Sequence, residues 1–177
     1  LHLFGTSKTQ GDGASRKEQF LTQAPALTPF QTARIETITG DTFRIERAAT
    51  KAAQDNKDLS DGDALETVGL KSSAGIKYPD GSLVLLNPET RVSKIYGTAG
   101  GANEQPAKRF YVERGVISAN VFKQPEGRPM TLLTSNAEAT VIGTRFTLAA
   151  QPRQTRLEVT EGVVRLTRLG DKRFVYV

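Results

Sequence analysis

The 177-residue chain has no cysteine. That one absence removes disulfides, thiolate nucleophiles and cysteine-ligated metals together. It leaves the compartment open, because an envelope protein can dispense with disulfides. Tryptophan is also missing, so a core must rest on valine, leucine, isoleucine and the 8 phenylalanines. Apolar residues make up only 37% of the sequence, which is lean but sufficient where each strand of a sheet buries one face. No run approaches the ~18 consecutive apolar residues that a membrane span requires. The single histidine is His2, so neither a histidine-based triad nor a histidine-rich metal site can be assembled.

Other routes to chemistry close on spacing. Asp55, Asp58, Asp61 and Asp63 suggest a calcium loop. Taking Gly62 as its invariant glycine, however, puts Lys57, Leu59 and Val68 at ligand positions one, three and twelve, where oxygen donors are needed. Gly97, Gly100 and Gly101 lack the lysine and hydroxyl of a phosphate loop and open no helix. Glu158 and Glu161 lie in an alternating segment beside Arg156 and Arg165, a pattern that predicts cross-strand ion pairs rather than acid–base work. Phe110, Tyr111, Phe122 and Phe146 are candidates for stacking on nucleic acid, but most fall on the apolar side of the alternation and are expected in the core. The sequence thus predicts no catalytic, metal or cofactor-binding residues, and no nucleic-acid partner.

What is present is a period of two. Residues 1–31 lack any sustained period and are rich in Gly, Ser, Thr, Gln and Pro, so they read as a flexible, disordered linker. From Ala33 onward apolar and polar residues alternate, and residues 32–177 read as one all-β domain. Ile35 and Ile38 mark a short strand ending at Gly40-Asp41, and Phe43 and Ile45 mark the next. Residues 48–63 read as a loop with at most one helical turn. Strands are expected at Leu65–Val68 and Ala74–Tyr78, then a hairpin through Pro79-Asp80-Gly81-Ser82 into Leu83–Leu86. Val92 and Ile95 mark another strand, and Gly97–Pro106 a loop. Eight strands follow: Arg109–Glu113, Val116–Phe122, Met130–Thr134, Ala137–Ile142, Arg145–Ala149, Thr155–Thr160, Val163–Thr167 and Phe174–Val177. Ala137, Ala139 and Val141 are odd-numbered, whereas Phe146 and Leu148 are even. Both sets face one core only if an extra residue enters near Gly143, in a backbone conformation that glycine favours.

The ordered motifs carry a resemblance. They are Tyr78–Asn87 with its Pro-Asp-Gly-Ser turn, Arg114–Phe122 with Gly115, Pro129–Thr134, Ala139–Leu148 with Gly143, Thr144 and Phe146, and Leu157–Leu166 with Gly162. Upstream, Gly62-Asp63 precedes Leu65. Together they resemble the FecR family across residues 34–177. The resemblance implies a twisted β-solenoid or a sandwich-like stack of short strands. It assigns Asp80, Gly81, Gly115, Gly143, Thr144, Phe146 and Gly162 structural motif roles. It also implies a non-enzymatic signalling or regulatory module that binds a protein partner in the periplasm or cell envelope. In iron-uptake regulators of the family such a domain relays a signal from an outer-membrane receptor to a cytoplasmic sigma-factor-binding segment. Membrane contact is expected only through a segment outside this chain, such as a helix preceding Leu1. The alternative on the same scaffold is an adhesion or carbohydrate-binding module.

Charge adds a direction. Residues 1–107 hold 12 Lys/Arg against 13 Asp/Glu, while residues 108–177 hold 12 against 6. Much of this is the solvated face that alternating strands require, yet a basic half also steers an acidic partner. The terminal segment Arg173–Val177 is short, apolar and strand-like, and is expected either to pair at a sheet edge or to lead onward. A partner is expected to bind by adding a strand.

Overall fold

The computed structural model describes residues 33–97 and 107–177. The expected linker, and all but the first residue of the Gly97–Pro106 loop, lie outside them. The described residues form twelve strands and no helix: β1 (Arg34–Glu46), β2 (Ala49–Ala52), β3 (Asp63–Lys77), β4 (Leu83–Leu86), β5 (Arg91–Tyr96), β6 (Arg109–Val121), β7 (Met130–Leu133), β8 (Ala137–Val141), β9 (Thr144–Gln151), β10 (Gln154–Glu161), β11 (Val164–Arg168) and β12 (Phe174–Tyr176). The all-β expectation holds. No helix among these residues is long and apolar enough to cross a membrane.

Three expected breaks are bends inside long strands. β1 runs on through Gly40, which sits at φ +66° where the register with β3 shifts. The two predicted strands at Leu65–Val68 and Ala74–Tyr78 are one strand, β3, bent around Gly69 at φ +89°. Likewise β6 joins the two predicted segments through Gly115 at φ +93°. A left-handed glycine bends a strand without ending its ladder, a distinction that apolar alternation does not encode. The predicted loop at 48–63 also contains β2, an exposed strand paired with the end of β1.

These bends set the architecture. The first half of β3 pairs with β5 and its second half with β4. β6 pairs with β5 through its first half and with β4 through its second. The ring β3–β4–β6–β5 therefore closes on itself, so the chain builds a four-strand barrel where a solenoid or a sandwich-like stack was expected. From β6 the sheet extends in two directions. One arm is β7, β8, β11 and β12, with β7 parallel to β6. The other is β9 and β10.

The chain crosses between the arms twice, and the first crossing accounts for the parity switch. Ala137, Ala139 and Val141 are buried along β8, and Thr144, Phe146, Leu148 and Ala150 along β9. Ile142 and Gly143 form a bend between two separate strands, not an extra residue within one. The core runs through ring and arms, and its largest fully buried side chains include Tyr78, Phe110, Phe146, Leu86, Ile117 and Leu132.

Candidate protein-docking site

The residues singled out from sequence gather at corners and in the core rather than around one cavity. At the hairpin turn, Gly81 takes φ +87° and its amide donates to the Tyr78 carbonyl at 2.9 Å. Asp80 accepts from the Ser82 amide at 3.0 Å, the local bond its position predicts. Its other oxygen, Oδ2, accepts from Lys108 Nζ (2.8 Å), Gln124 Nε2 (2.8 Å) and Ser82 Oγ (3.0 Å). Lys108 also donates to Gln124 Oε1 at 2.7 Å and lies 5.6 Å from the Tyr78 ring centroid. Lys108 and Gln124 are each only 4% exposed.

The electrostatics follow from this burial. Desolvation pushes the Asp80 carboxyl up. The bonds from Lys108, Gln124 and the Ser82 amide, with the Lys108 charge, outweigh it and hold Asp80 below the usual carboxylate range. Burial, reinforced by the charges of Asp80 and Asp61, drives the Tyr78 hydroxyl well above its ordinary value. That hydroxyl has no hydrogen-bond partner. Lys108 and Gln124 were invisible to sequence reasoning. They stand 28 and 44 residues from Asp80, and no local pattern marks a lysine or a glutamine as its buried partner.

At the arm crossings, Gly143, Thr144 and Gly162 meet. Gly162 takes φ +85°, and a Cβ there would stand 2.6 Å from the Gly143 carbonyl oxygen. Thr144 Oγ1 donates to the Val163 carbonyl at 3.2 Å. Gly143 does not adopt a positive φ; its need for glycine is close approach, since a Cβ would sit 3.1 Å from the Lys123 Cα. Gly115 bends β6 against Thr90, whose Cα a Cβ would approach to 2.5 Å. Phe146 is buried opposite Ala119 and Val159.

Two aspartates of the rejected calcium loop are tied into the fold, one through its side chain and one through its backbone. Asp63 is ion-paired with Arg44 at 2.6 Å and accepts from the Ser60 amide, and Asp58 forms a β-bridge with Arg34. Among the described residues no group of three or more His, Asp or Glu could hold a metal ion. The expected ion pairs on β10 are rearranged. Arg156 bonds Glu158 along its own strand at 2.6 Å, and Glu161 lies 3.8 Å from Arg145 of β9. Arg165 instead stacks over Phe174 at 4.6 Å. Of the four aromatics, Phe110 and Phe146 are core and Phe122 is exposed, lying against Gly81.

The surface offers one apolar edge. Among the described residues β12 pairs only with β11, and Phe174, Val175, Tyr176 and Val177 are all exposed. Beside it, Leu166, Phe174 and Val175 line a cleft of about 550 Å³ together with Arg153, Arg168 and Arg173.

No curated protein sequence matches the chain. Two crystal structures of a Parabacteroides distasonis protein, described as a candidate anti-sigma factor, are similar over part of it. One has 16% identity and a TM-score of 0.42, covering 67% of this chain and 59% of that one. The other has 17% identity and a TM-score of 0.43, covering 64% and 58%. The chain thus spans less than two thirds of the length of those structures. The FecR protein family matches over residues 63–165, from the start of β3 into β11, a stretch that holds Asp80, Gly81, Gly115, Gly143, Thr144, Phe146 and Gly162; the chain belongs to the FecR protein family.

Proposed function

We propose that this domain is a non-enzymatic signalling module of the cell envelope that acts by binding a protein partner. Membership of the FecR family is the observation that carries the reading. Two features favour it further. The motif side chains are committed to turns, corners and core, and β12 with the residue after it presents four consecutive exposed apolar residues, Phe174–Val177, of the kind that mark interaction surfaces. Immobilised domain incubated with an envelope extract, followed by mass spectrometry of the eluate, tests the reading. Recovery of a specific protein that free domain competes away is the expected result. Recovery of no protein, with saturable retention on a glycan array, would replace this reading with the adhesion alternative.

A further inference from the structure

Among the described residues three strands pair on one side only: β2, β10 and β12. Exposed sheet edges are normally guarded by charge or kept free of large apolar groups. β2 carries Lys51 and no side chain larger than threonine otherwise. β10 interleaves Arg156, Glu158 and Glu161 with its half-buried residues. β12 has no charged side chain of its own, since Phe174–Val177 is Phe-Val-Tyr-Val and every member is exposed.

The backbone of that edge is specified by its pairing. Val164 and Val177 exchange both hydrogen bonds, at 2.9 and 3.0 Å, and the Arg168 amide donates to the Arg173 carbonyl at 2.8 Å. In an antiparallel ladder, inward-bonding residues alternate with outward-pointing ones. Arg173, Val175 and Val177 therefore face β11, and Phe174 and Tyr176 direct their N–H and C=O groups away from the sheet. The charge beside the edge is of one sign in excess. Arg168 and Arg173 share Asp171 at 3.3 and 3.7 Å, while Arg153 has no ion pair among the described residues and lines the same cleft.

We propose that the occupant of this edge is an extended segment of a protein partner in which acidic and apolar residues alternate. It adds as a strand beside β12, bonding to the outward backbone groups of Phe174 and Tyr176. Its apolar side chains cover Val175 and Val177, and a carboxylate enters the cleft of Arg153, Arg168 and Arg173. This rests on the partner-binding reading above and gives it a site and a chemistry.

The test uses a fluorescein-labelled ten-residue peptide alternating valine and glutamate, with a valine–lysine peptide as control. Anisotropy titration should give saturable binding of the acidic peptide, at least tenfold tighter than the basic one. Arg153→Glu, at an exposed turn, should weaken it about tenfold. Tyr176→Pro removes one outward N–H without touching the bonds of Val175 or Val177 to β11, and should weaken it by a similar factor. Because a proline also restricts the backbone of the residue before it, amide exchange on the unaltered protein gives a second readout. Peptide should slow exchange at Phe174 and Tyr176, with little change at Val175 and Val177. Equal binding of both peptides, no saturable binding, or no protection at Phe174 and Tyr176 would overturn the proposal. A dimer in sedimentation that Tyr176→Pro dissolves would assign the edge to a second copy and overturn it too. A partner captured from extract equally well by the two variants would reject this edge and leave the partner-binding reading standing. Failure of the unaltered domain to capture any protein would reject that reading itself.

Discussion

Asp80 joins three stretches of chain that are distant in sequence: its own turn, Lys108 just before β6, and Gln124 beyond the end of β6. Its carboxyl is held below the usual range in the fold. The group therefore adds stability above its unfolded value of about 4 and loses it as pH falls through the lower folded value. Asp80→Asn leaves the Lys108 ammonium buried without its counter-charge, a loss on the order of 3 kcal/mol at pH 7. Urea titrations at pH 7 and pH 3 should show that deficit shrinking as acid protonates Asp80 in the parent. A deficit independent of pH would mean that the charge of Asp80 contributes nothing. Tyr78 presents the opposite case, a buried hydroxyl without a partner. Tyr78→Phe removes an unsatisfied polar atom and keeps the ring, so stability should be unchanged or rise by up to about 1 kcal/mol. A loss in the same titration would reveal a bond to that oxygen.

Elements were legible where alternation was strict and turns were chemically marked. β4, which follows the Pro79-Asp80-Gly81-Ser82 turn, matches its expected bounds, and the eight segments predicted from Arg109 onward are found as seven strands, the first two of them joined as β6. What alternation did not encode is whether a glycine ends a strand or bends it. Gly69 and Gly115 bend, so the closed ring that depends on them is not visible in the alternation, and the family resemblance implies a solenoid or sandwich-like stack instead. The corner near Gly143 was legible as a change of parity, but its cause was not. The positive φ falls at Gly162, whereas Gly143 is constrained by the Lys123 backbone. The two sites should thus respond differently to a methyl group. Gly162→Ala combines a disfavoured φ with a 2.6 Å contact to backbone and should cost about 2–4 kcal/mol. Gly143→Ala, needing only a few tenths of an ångström from its neighbour, should cost about 1 kcal/mol. Equal losses in parallel denaturant titrations would contradict the assignment of the strained corner to Gly162.

At the scale of the whole molecule, the excess of basic residues after Lys108 does little for the fold. Arg145, Arg156, Arg168 and Arg173 have side chains 59–83% exposed, and exposed pairs of this kind contribute roughly 0–1 kcal/mol each. Their sum acts at longer range, as a positive field over the half of the chain that carries β12. Such a field accelerates the approach of an acidic partner and is screened over a Debye length of about 8 Å at physiological salt. Backbone bonds and apolar contacts, once formed, are screened far less. Stopped-flow or surface-based kinetics with an acidic strand should therefore separate the two. Raising salt from about 50 to 500 mM should slow association on the order of tenfold while leaving dissociation nearly constant. A salt effect appearing mainly in dissociation would place the binding energy in ion pairs at the rim, and the apolar edge of β12 would then be incidental to recognition.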